Sequence, residues 1–210
     1  MNKFGDLSCK EFLTELASAA PAPGGGGGAA MAGALAAALA SMVANLTIGK
    51  EKFADREPEV KELLKQAEAE RVRLLTLVDE DAAVFNSFMS CYKLPKDTDE
   101  EKAARTAAIR AAAKQAATVP LNIARSSFAV LKLADSLVVS GNPGVITDGA
   151  CSGLLARAAL RCAEYNVRIN LGLTKDEEWN AQVAADLKQL LADAEALETR
   201  LLAVTDKALQ

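Results

Sequence analysis

Between Pro58 and Tyr92, apolar residues return every three or four positions: Val60, Leu63, Leu64, Ala67, Leu74, Leu75, Val78, Ala82, Phe85 and Met89 form one stripe. That period predicts a long amphipathic helix, ended by Leu94-Pro95. Trp179, Val183, Leu187, Leu190, Leu191, Leu197 and Leu201 predict a second such helix at the end of the chain, opened by Thr174-Lys175-Asp176-Glu177. From Ala29 to Gly49 the pattern changes. No charge occurs, and Gly33, Ala37, Ala40 and Ala44 leave one face nearly smooth, as suits a helix buried inside a bundle. Ser8 with Glu11, and Thr98 with Glu101, have capping-box spacing. They predict a short first helix, broken by Pro21 and Pro23, and an Ala-rich helix to about Val119. Pro120 either takes the first turn of a following helix, to about Ser140, or kinks a continuous one. Gly141 to Gly144 predict a turn, and Thr147 or Asp148 a cap for a helix to about Leu171. No hairpin or convincing strand is present. The fold expected is all-α: a multi-helix bundle of long antiparallel helices around an Ala-rich buried one, in one domain over residues 1–210.

Composition narrows the function. Half the residues are apolar, so a sizeable core can form, while aromatics are only 4% and small side chains favour close helix packing. A net charge of −4 argues against a nucleic-acid surface, which needs clustered cations. The charge-free stretch is long enough to span a bilayer, but it is mostly Ala and lacks an aromatic belt, so no membrane association is expected. No signal peptide is evident. Cys9, Cys91, Cys151 and Cys162 have no metal-binding spacing. They read as buried small hydrophobes in a reducing, cytoplasmic setting. The chain has no His, which removes the commonest general base and metal ligand. No metal and no cofactor is expected.

Proton transfer then falls to another side chain, and Asp81 stands out. At 100° per residue it lies about 60° from Val78, on the margin of the apolar stripe, whereas Asp79 and Glu80 turn toward solvent or its border. Desolvation would let Asp81 hold or accept a proton near neutrality. The plainer reading is an acid paired with a Lys or Arg of another helix. Gly24 to Gly28 precede the buried helix, either as a flexible connector or as exposed amides that hold an anion or a carbonyl. Lys50 and Lys52 follow that helix, either meeting its dipole or docking an acidic tail. Arg157, Arg161 and Arg168 share a face with Glu164, as intrahelical pairs would. Asn142, Asp148, Asn166 and Asn170 form a polar group. Asp148 suffices as a cap. Asn166 and Asn170, four apart, either bridge helices or meet the donor and acceptor edge of a ligand.

Pro23-Gly24-Gly25-Gly26, Ser41 to Lys50, Leu77 to Phe85, Leu94-Pro95-Lys96, Ser140-Gly141-Asn142 with Thr147-Asp148, and Asn166 to Leu171 occur in one order along nearly the whole chain. Together they resemble the cyclodeaminase/cyclohydrolase family of folate enzymes. The resemblance implies an all-helical homodimer acting on a tetrahydrofolate derivative at a site near the subunit interface. It assigns Asp81 as the catalytic acid/base and Gly24, Gly25, Gly26, Lys50, Asn142, Asp148, Asn166 and Asn170 as substrate-binding. The reaction expected is cyclodeamination of formimidoyltetrahydrofolate to 5,10-methenyltetrahydrofolate, with cyclohydrolysis of the latter close behind. One departure is Gly27, where the family usually carries Ser.

Overall fold

The stripes and caps translate into six α-helices in the computed structural model, which describes residues 3–210. They are α1 (Cys9–Leu16), α2 (Gly24–Asn45), α3 (Glu57–Cys91), α4 (Asp99–Ser140), α5 (Ile146–Thr174) and α6 (Glu177–Ala208). Single 3₁₀ turns cover Phe4–Asp6, Glu51–Phe53 and Pro143–Val145, and no strand occurs among the described residues. Both capping boxes form: the Ser8 and Thr98 side chains accept from the amides of Glu11 and Glu101, whose carboxylates return the bond. At the start of α6 the side chain of Asp176 accepts from the amide of Trp179 at 3.1 Å, and Thr174 donates to Asn180 at 2.7 Å.

α2 runs through the middle of the bundle against α3, α4 and α5, and α6 packs on α4 and α5. Ala30, Ala36, Ala37, Ala40 and Ala44 have no exposed surface, so the neighbouring helices come down onto a nearly bare backbone cylinder. Gly33 sits where α2 crosses α3 and α4: a Cβ there would lie 3.0 Å from Leu74 Cδ2 and 3.1 Å from Ser127 Oγ. Ser152 of α5 is fully buried and donates its hydroxyl to the Ala36 carbonyl at 2.7 Å, which ties α5 to α2. At the other side of the bundle Asp135 of α4 is buried and is gripped by Arg200 of α6.

Several boundaries differ from expectation. α2 begins at Gly24, not Ala29, and ends at Asn45, not Gly49. Glycine costs about 1 kcal/mol per residue in a helix, but here the missing side chains allow the close approach to α3 described below. α4 is continuous from Asp99 to Ser140, with Pro120 inside it. α5 starts at Ile146 and reaches Thr174, and neither Thr147 nor Asp148 caps it. The 3₁₀ turn runs straight into the helix, and the cap falls to Asn142, whose side chain accepts from the Gly144 amide at 3.0 Å. The cysteines are also corrected. Cys9, Cys151 and Cys162 are exposed and Cys91 is partly buried, all as free thiols.

Replacing Gly33 with Leu should destabilise the fold by about 3 kcal/mol through overpacking at the α2–α3–α4 crossing. Denaturant unfolding of the variant, at unchanged m-value, checks this.

Candidate active site

The first turns of α2 face α3 so closely that no side chain fits between them. A Cβ built on Gly26 would lie 2.5 Å from Asp81 Cγ. Only glycine lets the carboxylate rest against the helix backbone at this point. Gly27 is buried beside it, and its amide, which donates to the Pro23 carbonyl at 3.1 Å, also faces the Asp81 carboxylate. Asp81 forms no ion pair among the described residues, so the plainer reading of a stripe-edge acid matched to a Lys or Arg does not hold. Burial pushes its pKa up to about 6, against a smaller downward pull from the Gly27 amide. A carboxylate in that range can accept and return a proton near neutral pH. Its neighbours are spent differently: Asp79 accepts the Gly5 amide at 3.3 Å, and Glu80 is exposed.

One residue earlier on α2, Gly25 faces α5, where a Cβ would lie 3.6 Å from Asn166 Nδ2. The carboxylate of α3 and the amide of α5 therefore flank the same turn of α2. Asn166 donates to the Cys162 carbonyl at 2.9 Å, and its Oδ1 has no partner among the described residues. Asn170 is fixed more firmly. Pro120 has no amide hydrogen, so the Ala116 carbonyl four residues earlier loses its helical donor. Asn170 Nδ2 supplies it at 2.8 Å, and also bonds the Asn166 carbonyl at 2.8 Å. Of the two readings of this residue, helix bridging is the one observed.

Gly24, Gly25, Gly26, Asp81, Asn166 and Asn170 thus gather at the N-terminal end of α2. A chain of this length and pattern has close relatives. The family model described as Formiminotransferase-cyclodeaminase matches residues 8–189. The chain belongs to this family. It is 44% identical over 197 residues to the methenyltetrahydrofolate cyclohydrolase of Methylorubrum extorquens, covering 94% of this chain and 95% of that one. It is 34% identical over 185 residues to the formimidoyltransferase-cyclodeaminase of Sus scrofa, covering 88% of this chain and 34% of that protein. This chain therefore spans about a third of the animal relatives' length. The crystal structure of formiminotetrahydrofolate cyclodeaminase from Thermotoga maritima superposes with a TM-score of 0.88 at 30% identity, covering 98% of each chain. Membership makes this an enzyme of folate one-carbon chemistry, acting as a cyclodeaminase or a cyclohydrolase.

At Gly27, where the resemblance led to the expectation of Ser, the packing is tight: a Cβ would lie 2.8 Å from Pro23 Cβ. A serine could enter only if Pro23 shifted. The remaining expected site residues lie elsewhere in this protomer. Asn142 donates its amide to Thr47 Oγ1 at 2.8 Å and its Nδ2 to the Leu46 carbonyl at 3.1 Å, tying the turn before α5 to the C-terminal end of α2. Lys50 is exposed just beyond that end, and Asp148 is partly buried in the first turn of α5. With 22 residues in α2, roughly 30 Å of helix separates this group from Gly26. Lys50, Asn142 and Asp148 therefore do not join Asp81 within one chain. Of the arginine stripe, Arg161 and Arg168 pair with Glu164 at 2.7 and 3.3 Å, while Arg157 reaches Glu198 of α6 at 3.1 Å.

An acid whose pKa is higher folded than unfolded binds its proton more tightly in the native state. Its cost to stability grows as pH rises from about 3.8 to about 6 and is complete above that. Asp81→Asn should remove the cost, raising Tm by roughly 5 °C at pH 8, with the gain shrinking toward zero near pH 4. Thermal melts of both proteins across that range check it. An equal gain at both ends would show that Asp81 is not desolvated.

Proposed function

We propose that this chain opens 5,10-methenyltetrahydrofolate to 10-formyltetrahydrofolate, with Asp81 as the group that moves the proton. The observation that carries the proposal is the half-dry carboxylate held on the glycine turn of α2 without a cation beside it. Water adds to the methenyl carbon and gives one proton to Asp81. The carbon–nitrogen bond at nitrogen 5 then breaks as the formyl carbonyl forms. Asp81 returns its proton to nitrogen 5, and the second proton of the water is released. No cofactor is required for these steps. The end-to-end likeness to the Methylorubrum extorquens cyclohydrolase favours this direction over cyclodeamination.

Cyclodeamination is kept as a second reading because the Thermotoga maritima protein, similar over its whole length, is a formiminotetrahydrofolate cyclodeaminase. There nitrogen 10 would attack the formimidoyl carbon on nitrogen 5, and Asp81 would carry the proton to departing ammonia. Purified protein given each substrate separates the two. Loss of the methenyl chromophore is expected, with kcat/KM rising as pH passes upward through about 6, because the charged carboxylate is the base. Asp81→Asn should lower kcat/KM roughly a thousandfold, within the range of lost acid–base catalysis. Ammonia release from the formimidoyl substrate, without chromophore loss from the methenyl one, would reverse the assignment.

The proposal includes a homodimer. On α2 and at its C-cap, Leu35, Met42 and Leu46 are exposed, and on neighbouring α5 so are Cys151, Leu154, Cys162, Tyr165, Ile169 and Leu173. These positions follow helical spacing, carry no charge and run along most of α5 and the C-terminal half of α2, a pattern typical of a covered surface. A second copy, packed antiparallel across this face, would bring Lys50, Asn142 and Asp148 of one protomer toward Asp81 of the other. That supports the expected location of the site near a subunit boundary. Leu154→Glu with Ile169→Glu should halve the mass seen by sedimentation equilibrium and abolish turnover. A wild-type protein that sediments as a monomer at micromolar concentration would overturn the dimer.

A further inference from the structure

Beyond the N-terminus of α2, helices α3 and α4 continue together as a hairpin, and this overhang carries chemistry that the proton-transfer site does not use. Along α3, Asp81 and Tyr92 are eleven residues apart, which is about 16 Å of helix and a net rotation of about 20°, so they share one face. Phe85 and Phe88 lie between them, within about 40° of the same line. Phe88 is buried and meets Tyr92 edge-on at 5.3 Å, yet neither they nor Phe85 belong to the packed core clusters of the bundle. On α4 the same spacing recurs in the opposite direction. Ala116, which Asn170 holds at the site, and Arg105 are also eleven residues apart and share one face. The two faces converge at the far end, where the Arg105 guanidinium lies 5.5 Å over the Tyr92 ring.

Arg105 is short of partners. Its Nη2 donates to the Tyr92 carbonyl at 3.3 Å, and its Nε is buried with no acceptor. Glu101, one turn earlier and the natural i, i+4 partner, spends its Oε2 on the amides of Asp97 and Thr98 in the capping box. No carboxylate pairs with Arg105 among the described residues. A partly buried guanidinium fixed by an aromatic ring, at the end of an apolar track that starts at the catalytic carboxylate, is arranged for a ligand with an aromatic middle and an anionic end.

Resting on the folate reading above, we propose that the aminobenzoyl ring of the substrate lies along Phe85 and that Arg105 takes the glutamate carboxylate, making Arg105 the residue that selects substrates bearing that tail. The distance from Asp81 to Tyr92 suits an aminobenzoyl group plus one glutamyl residue, met by the reach of an arginine side chain. The test compares 5,10-methenyltetrahydrofolate with 5,10-methenyltetrahydropteroate, which has the same reacting rings and no glutamate. Wild-type enzyme should prefer the glutamate-bearing substrate in kcat/KM. Arg105→Leu should cut that preference roughly tenfold, the weight of one charge-assisted hydrogen bond, and Arg105→Lys should restore part of it. Should the leucine variant not fold, wild-type enzyme still decides: aminobenzoylglutamate should compete with substrate and aminobenzoate should not. An unchanged preference in Arg105→Leu, or equal competition by the two fragments, would overturn the proposal while leaving the folate reading intact. Turnover of neither substrate by wild-type enzyme would remove both.

Discussion

The structure depends on one close approach, that of the first turns of α2 to the middle of α3. A carboxylate can sit against a helix backbone only where the opposing residue has no side chain, and Gly26 provides that place. The approach does two things together. It takes water from one side of Asp81, which raises the pKa, and it presents the Gly27 amide, which limits the rise. Neither effect needs a charged partner. The acid is tuned by packing alone, so its behaviour depends on the Ala-rich interface that presses α2 into place. This links the composition of the chain to its chemistry: the alanines along α2 set how near α3 can come, and the glycines at its start let the acid exploit that nearness.

A second coupling runs through Pro120. In a helix interior proline leaves a carbonyl four residues back without a donor, normally a cost. Here that carbonyl, on Ala116, becomes the anchor for Asn170, and Asn170 in turn holds the backbone of Asn166 beside Gly25. A defect in α4 thereby registers α5 against α2 at the level of Asp81. Polar side chains placed by packing on rigid helices are held more narrowly than those on loops, which suits a reaction governed by positioning.

Much of this was legible in the residues. Ser8–Glu11 and Thr98–Glu101 announced their helices because a capping box is a local device, satisfied within four residues. Asp81 could be singled out because the stripe of α3 fixes angles along a single helix. The illegible parts all required a second helix. Gly24 to Gly28 read as either a connector or free amides ahead of the helix, not as helix itself, because intrinsic propensity disfavours helix there, and only contact with α3 reverses that preference. Asn142 gave no sign of its structural partners: its side-chain amide bonds the Leu46 carbonyl and the Gly144 amide, partners distant or unmarked in the pattern. Cys151 and Cys162 read as core because cysteine is usually buried, whereas they lie on the uncharged outer face of α5. The signal available for Asn170 was Pro120 itself: a proline inside a helix calls for a donor from elsewhere.

The lack of a cation beside Asp81 among the described residues also bears on the proposed reaction. A lysine or arginine at hydrogen-bond distance would hold the carboxylate well below the usual range and weaken it as a base. It would also repel a methenyl substrate, whose bridging carbon shares a positive charge between two nitrogens. An acid left unpaired and partly dried keeps its electrostatic attraction for the substrate itself. In the proposed reaction, binding would supply the missing counter-charge, favour the ionised carboxylate at the moment a water must be activated, and withdraw that support once addition of the water discharges the cation. Such a cycle would need no imidazole, because the substrate's own charge would do the switching that a second titrating group otherwise performs.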